Sequence, residues 1–378
     1  MPMKNNFSQM GNKFPKVAFV ISSLGCGGAE KVVTLMANYW AKKGWDVTVY
    51  TFDDGSIPPF FLLETRVRHI PINVAGNSHG IFSRIRKGIK RMKALRHEIC
   101  KFNPHVVISF MDKVNVFTVF ALLRTGIPVI AAERSNPRLA RIGPILSFLR
   151  RIAYIMADSV VVQTAGAKKC FSLLLRRKIV VIPNPVSIPD DLPNESRVPE
   201  TFLIASLGRM TEEKRFDLLI RAFARVCKEF PAWNLKIAGD GPLRKDLERL
   251  RDSLDIMNRV EFVGIVNNAY RFLKGCDMFV LTSRFEGFPN ALCEAMACGL
   301  PVIAVDCQYG PGEIINHQID GILVPLNDMD ALVATMKRLM SDENERRRLG
   351  ENARKTICRF TLENIITIWE SLLKKHIP

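Results

Sequence analysis

The sequence predicts an α/β protein built as two Rossmann-like, doubly wound domains facing each other across a cleft. Three observations carry that expectation. A chain of 378 residues with 48% hydrophobic composition can bury more than one core. Strand-length apolar runs alternate with helical patterns along the whole chain. A segment rich in proline and acid, Asn184 to Pro199, interrupts that alternation near the middle.

The first strand is Val17-Ala18-Phe19-Val20-Ile21, followed by a glycine turn at Gly25-Cys26-Gly27-Gly28. A helix from Ala29 to Lys43 stops at Gly44, and Val47-Thr48-Val49-Tyr50 returns as a strand, completing a βαβ opening. Further strands are predicted at His105 to Phe110, Pro128 to Ala132, Ser159 to Gln163 and Ile179 to Ile182. Beyond the interruption, strand Phe202 to Leu207, helix Asp217 to Phe230 and strand Leu235 to Ala238 repeat the pattern. Strands Val260 to Val263, Met278 to Leu281 and Pro301 to Val305 follow. This divides the chain into a first domain, 1–187, a linker, 188–199, and a second domain, 200–360. The last stretch, 361–378, holds a helix from Leu362 to Lys374 expected to cross back onto the first domain.

No apolar run reaches the roughly 18 residues of a membrane span. Ser23-Leu24-Gly25-Cys26 has a superficial lipoprotein look but lacks the expected leucine three residues before the cysteine, so neither secretion nor lipidation is expected. The nine cysteines are scattered and form no Cys-x-x-Cys pair, which fits reduced thiols in the cytoplasm. The net charge of +17 lies wholly in the first half: residues 1–199 hold 29 Lys and Arg against 12 Asp and Glu, residues 200–378 hold 25 of each. No nucleic-acid-binding motif accompanies the charge, so an anionic membrane surface or a phosphate-bearing lipid is the expected partner, and nucleic acid is not. Ile81 to Lys101 concentrates it. Ile81, Ile85, Ile89, Met92, Leu95 and Ile99 follow helical spacing, and Arg84, Arg86, Lys87, Lys90, Arg91, Lys93 and Arg96 fill the other faces. Seven cations in thirteen residues exceed what solubility needs. A second basic and apolar stretch, Arg138 to Met156, is read as part of the same surface.

The chemistry-bearing segment is Glu286-Gly287-Phe288-Pro289-Asn290-Ala291-Leu292-Cys293-Glu294. It follows a buried-type strand and opens a helix, so Glu286 stands at a strand's carboxyl end and Glu294 about two turns into the helix. In an open α/β sheet that edge binds ligands, and a helix start offers free N–H groups to a diphosphate. Gly208-Arg209 and Lys214, after another strand, could neutralise a leaving diphosphate without a metal. A dinucleotide fingerprint at Gly25 to Glu30 fails because Glu30 occupies the third glycine position. Asp328-Met329-Asp330 has a metal-nucleotide form, but its place at a helix start favours capping. No metal ligand set and no resident cofactor are expected.

As a set, Gly27-Gly28-Ala29-Glu30, Asn184, Gly208-Arg209 with Lys214, Gly239-Asp240-Gly241-Pro242, Phe262-Val263-Gly264 and the Glu286-to-Glu294 segment resemble the retaining glycosyltransferases of family four, over essentially the whole chain. That resemblance implies the two-domain GT-B fold and transfer of a hexose or N-acetylhexosamine from a nucleotide-sugar donor, with UDP as the expected nucleotide. It implies that Gly27 and Gly28 approach donor phosphates and acceptor, that Arg209 and Lys214 bind the diphosphate, that Glu294 holds the ribose and that Glu286 contacts the donor sugar. Gly241, Asn290, Ala291 and Leu292 join the donor site, and Ile265 and Val266 receive the base. Many members carry a histidine after the strand matching Pro128 to Ala132; here Arg134 stands in that place, which puts any histidine role in doubt. The chain is most similar to bacterial family members that extend lipid-linked saccharides. This implies a lipid-linked glycan acceptor, engaged through Arg84, Lys87, Lys90, Arg91, Lys93, Arg134 and Asn184, and a peripheral position on the inner face of the cell membrane. Two other readings stay open: a GT-B-like nucleotide-sugar epimerase, and a non-enzymatic peripheral membrane protein using the basic helix alone.

Overall fold

A computed structural model of the chain describes residues 14–73, 81–134, 143–189 and 201–377, with the side chains of 81–85 and 87 also outside the description. The chain divides into two compact units. Unit 1 comprises residues up to Val162, Lys168–Ile182 and Ile366 onward, and unit 2 comprises Gln163–Ala167 and Pro183–Ile365. The division falls at Pro183 rather than 187, and most of the expected linker lies outside the described residues.

Unit 1 runs β1 (Lys16–Ile21), α1 (Gly28–Lys42), β2 (Asp46–Thr51), β3 (Arg68–Pro71), α2 (Ile81–Phe102), β4 (Val106–Phe110), α3 (Asp112–Ala121), β5 (Val129–Ala132), α4 (Pro144–Met156) and β6 (Ser159–Val162). After α5 (Ala165–Lys169), which passes between the units, come α6 (Leu173–Arg176) and β7 (Ile179–Val181). The seven strands are parallel in the order β3-β2-β1-β4-β5-β6-β7, so the winding reverses between β1 and β4. Strands β1, β4, β5 and β6 are buried at almost every position, as a parallel sheet covered on both faces requires. An aromatic series crosses the core, with Trp45 stacked on Trp40 (5.0 Å), Trp40 on Phe19 (5.6 Å) and Phe19 against Phe110 (6.1 Å).

Unit 2 runs β8 (Phe202–Leu207), α7 (Phe216–Val226), β9 (Trp233–Ala238), α8 (Arg244–Ser253), β10 (Val260–Gly264), α9 (Ala269–Lys274), β11 (Met278–Leu281), α10 (Asn290–Ala297), β12 (Val302–Val305), β13 (Ile322–Val324), α11 (Met329–Ser341) and α12 (Glu343–Ile357). Its six strands are also parallel, in the order β10-β9-β8-β11-β12-β13, with the reversal between β8 and β11. Phe223, Ile237, Val280, Ile303, Met336 and Leu349 anchor the core, all fully buried.

The last helix, α13 (Leu362–Leu373), begins in unit 2 and ends in unit 1. There Trp369 is fully buried and stacks on Phe110 at 6.4 Å, while Glu370 accepts from Trp40 Nε1 (3.2 Å) and Lys43 Nζ (3.0 Å).

Candidate active site

Because every strand of unit 2 is parallel, the segments after β8, β9, β10 and β11 all emerge on one edge of the sheet. Arg209 and Lys214 follow β8, Gly241 follows β9, Ile265 and Val266 follow β10, and Glu286 follows β11. Residues more than 70 apart in sequence are thereby brought to one face. The reversal between β8 and β11 places Lys214 and Glu286 side by side.

Glu286 is 8% exposed, and its Oε1 accepts from Lys214 Nζ and from Ser283 Oγ, each at 2.6 Å. The loops carrying the pair are stitched together independently of it. Thr282 Oγ1 donates to the carbonyls of Lys214 (3.0 Å) and Arg215 (2.9 Å), and the Arg284 N–H donates to the Glu213 carbonyl (2.7 Å). Arg209 stays exposed beside this loop. Its charge and that of Lys214 help hold the Glu213 carboxyl below its usual range, after the larger effects of a Thr211 hydrogen bond and Glu213's own backbone.

Two glycines make the β8 turn close. A Cβ on Gly239 would stand 2.0 Å from the Gly208 carbonyl oxygen, and one on Gly241 would stand 2.5 Å from that of Met210. Both obstacles are backbone, so only glycine lets the β9 turn lie against the Arg209 loop.

Helix α10 starts at Asn290 with Pro289 as its cap residue, so Glu294 is the fifth helical residue, a little over one turn in rather than two. Glu294 is 6% exposed, and its charge adds to the effect of burial in raising the pKa of Tyr270, whose hydroxyl accepts from the Ser187 N–H at 3.1 Å. Leu292 is fully buried, so its side chain belongs to the core. Its N–H and that of Ala291, in the first helical turn, are what this segment offers a ligand. Asn184, expected on the acceptor side of the first domain, lies in unit 2, 2% exposed, with Nδ2 donating to Asn290 Oδ1 at 2.7 Å.

The segment after β12 completes the edge and went unread in the sequence. Gly310 packs where its Cβ would come within 3.0 Å of Glu286 Cβ. Residues Asp306 to Gly310, with Gly312 and Glu313, line a cavity of about 240 Å³. Burial, and then the charge of Glu286, push the Cys307 thiol up to about 12, so it is not a thiolate near neutrality. A larger groove of about 410 Å³ lies along Asn234–Lys236 and Met257–Phe262 and contains none of these residues. Asp328 caps α11, accepting from the Ala331 N–H at 2.8 Å, and Asp330 pairs with Arg225.

In unit 1, Gly27 is the cap residue of α1 and Gly28 its first residue, at the carboxyl end of β1. Glu30, read from sequence as the break in a dinucleotide fingerprint and as the last residue of the Gly27-to-Glu30 motif, folds back so that its Oε2 would lie 2.2 Å from a Cβ on Gly27, and burial raises its pKa. Arg134 lies deep, its guanidinium 4.6 Å from the Phe110 ring centroid and 5.9 Å from that of Trp369, and burial lowers its pKa to about 9 against the opposing charge of Glu133. Along α2, Leu95 and Ile99 are fully buried as the apolar spacing predicts, whereas Ile89 is 45% exposed. Lys90 and Lys93 are exposed and Arg91 is half-buried. Arg96 is exposed too, and its guanidinium donates to the carbonyls of Ala121 and Leu123 at the end of α3. The side chains of Ile81, Arg84, Ile85 and Lys87 lie outside the described residues, as do Arg138 and Arg141.

Comparison with known proteins agrees with this arrangement. Residues 26–188 match Glycosyltransferase Family 4, and residues 188–356 match Glycosyl transferases group 1. The α-1,4-N-acetyl-D-galactosaminyltransferase of Campylobacter jejuni, named for an acceptor on diphospho-undecaprenol, is 29% identical over 359 residues, 95% of this chain and 98% of that protein. An uncharacterized glycosyltransferase of Methanocaldococcus jannaschii is 30% identical over 340 residues, 76% of this chain and 84% of that protein. Among solved structures, Anabaena HepE in complex with UDP and glucose superposes with a TM-score of 0.76 at 20% identity, covering 95% of this chain and all of that one. With two parallel-sheet units in the GT-B fold and family matches spanning residues 26–356, the chain belongs to the family-four glycosyltransferases and is a glycosyltransferase.

Proposed function

We propose that the enzyme moves a hexose or N-acetylhexosamine from UDP, with retention, onto a lipid-linked glycan at the inner face of the membrane. The observation that carries this reading is the meeting of Lys214 and Glu286 at the reversal point of the unit 2 sheet: a buried carboxylate fixed by two 2.6 Å bonds beside a cation with donors to spare. Both bonds fall on Oε1, which leaves Oε2 to a hydroxyl of the donor sugar.

In this reading the start of α10 and the cations Arg209 and Lys214 receive the diphosphate. They offset the charge that develops on it as the sugar leaves, without a metal. Glu294 takes ribose hydroxyls, and Ile265 and Val266 border the base. Glu286 is already held by two partners, so the reading assigns it to positioning the sugar, not to covalent attack. The acceptor then enters and the diphosphate departs on one face of the sugar, which retains configuration.

UDP as donor is supported by the HepE complex, and a lipid-linked acceptor by the name of the C. jejuni relative. The basic excess of the first half supports the same acceptor, with Lys90, Arg91 and Lys93 of α2 as cations for an acceptor diphosphate or an anionic lipid. Arg134, beside the rings of Phe110 and Trp369, is assigned to the acceptor, and as a guanidinium it stays protonated near neutrality.

The test is calorimetric titration with UDP, followed by a screen of UDP-sugars on lipid-linked acceptors, with products read by mass spectrometry with and without EDTA. Heat of binding and EDTA-resistant transfer are expected. The absence of heat would overturn UDP as the donor nucleotide. Activity lost to EDTA and restored by manganese would overturn the metal-free part.

A further inference from the structure

We infer that α4 and the α6 segment of unit 1 form a face that inserts into the interfacial region of an anionic lipid bilayer. The inference rests on the membrane reading above and gives it a second, chemically different contact from α2.

Helix α4 is turned the opposite way from a helix that faces water. Ile145, Phe148, Ile152, Ile155 and Met156 recur at helical spacing and form one stripe. That stripe points outward: Ile145 is 77% exposed, Phe148 63%, Ile155 54% and Met156 46%, with Ile152 half-buried. The opposite side, which faces the core, carries polar groups. Arg150 is buried and donates to Glu133 Oε2 (3.4 Å), to which the buried Tyr154 hydroxyl also donates (2.7 Å). Against water, burying the arginine and exposing the apolar stripe are both unfavourable. The Glu133 carboxylate offsets the first, and exposing the stripe becomes favourable when it faces acyl chains.

The face continues onto α6. Lys178 Nζ donates to the carbonyls of Ile155 (2.7 Å) and Ala157 (3.1 Å), and the rings of Tyr154 and Phe171 lie 6.0 Å apart, which sets the α6 segment beside the end of α4. Leu173 and Leu174 there are 77% and 71% exposed. The surrounding charge is one-sided: residues 143–178 hold seven cations against one acid, Asp158, whose Oδ2 is occupied by the Val129 N–H. Arg151, Lys169, Arg177 and Lys178 are exposed. Apolar side chains ringed by cations suit an anionic bilayer, where the former enter the acyl boundary and the latter meet headgroups, whereas a second copy would bring like charge. No helix among the described residues is long and apolar enough to cross a membrane, so the contact is interfacial.

The test compares the wild type with a variant carrying Ile145→Ser, Phe148→Ser, Leu173→Ser and Leu174→Ser, all surface positions, on vesicles of phosphatidylglycerol and phosphatidylethanolamine at low and high salt. Insertion resists salt, so the wild type should still sediment with vesicles at high salt, and the variant should lose roughly a hundredfold or more in partitioning. As a second measurement, Phe148→Trp in the otherwise unchanged chain should be quenched by lipids brominated in the acyl chain. Unchanged binding of the variant, complete release of the wild type by salt, or no quenching at position 148 would overturn the inference. So would concentration-dependent self-association of the wild type that the variant abolishes, which would make the face a contact between copies. Transfer to a lipid-linked acceptor in detergent separates the two readings. If neither protein elongates it while only the variant has lost vesicle binding, the acceptor reading fails and the lipid face stands.

Discussion

Replacing Lys214 with Met should destabilise unit 2 and slow transfer, and the two effects have different origins that a double-mutant cycle separates. The Lys214 side chain is 24% exposed and that of Glu286 9%, so the pair lies between an exposed ion pair, contributing about 0–1 kcal/mol, and a fully buried one, whose rupture costs about 3–5 kcal/mol. Lys214→Met leaves Glu286 charged with only Ser283 as partner, and about 2–3 kcal/mol is expected. Glu286→Gln keeps an acceptor for Ser283 and leaves a lysine that reaches water, for about 1 kcal/mol. The double variant removes both charges together and should cost no more than Lys214→Met alone, a coupling of about 1 kcal/mol or more. Native-state hydrogen exchange of amides in β11 and α10 reads the stability of unit 2 directly. Additivity of the two substitutions within about 0.3–0.5 kcal/mol would refute the ion pair. Independently, Lys214→Met should lower kcat by roughly a hundred- to a thousandfold if the cation stabilises the departing diphosphate.

Four further outcomes are expected. Glu294→Ala should weaken UDP binding by about 1.5–3 kcal/mol, roughly ten- to a hundredfold or somewhat more, by calorimetry, and wild-type affinity would remove Glu294 from the ribose. Gly241→Ala forces a methyl to within 2.5 Å of the Met210 carbonyl oxygen, so it should cost about 1–3 kcal/mol and weaken UDP binding by shifting Arg209; unchanged binding would show that the loop is not part of the site. Trp369→Ala, at a fully buried position, should cost unit 1 about 3–5 kcal/mol, read by exchange of β1 and β4 amides, while UDP heat persists. Reversing Lys87, Lys90, Arg91 and Lys93 to Glu should remove the salt-sensitive part of binding to anionic vesicles and leave the salt-resistant part held by α4 and α6, without changing UDP heat, since each cation near such a surface contributes about 1 kcal/mol.

The parallel strands were legible because a sheet covered on both faces demands uninterrupted apolar runs, and Val17–Ile21, Phe202–Leu207 and Met278–Leu281 are such runs. Strand β3, Arg-His-Ile-Pro, escaped because it is a half-exposed edge strand with no apolar run, whereas β13 went unread although it is no shorter than β7. In the site, Glu286, Lys214 and Glu294 could be named from spacing and resemblance, since each stands next to a readable strand or helix. Tyr270 and the Cys307–Gly310 loop could not, because they reach the site through contacts between distant segments, and Ser283, three residues before Glu286, belongs to no motif that would single it out. The stretch Arg138 to Met156 was legible as basic and apolar, but not which of its side chains face the core. The inward orientation of Arg150 depends on the Glu133 carboxylate, 17 residues away.

The path of α13 bears on how the protein is made. Trp369 and Glu370 complete the core around Phe110 and Trp40, yet they are synthesised after all of unit 2. A ribosome would therefore release the N-terminal sheet with an unfilled aromatic slot. That sheet must wait, held open or bound by a chaperone, through the synthesis of nearly two hundred more residues before its own last side chains arrive. Contacts between residues more than three hundred apart, such as Trp40 with Glu370, also carry a large loop-closure entropy. On that basis unit 2, which is nearly continuous in sequence, should fold first, and removal of the last dozen residues should leave it intact while unit 1 becomes a substrate for proteases.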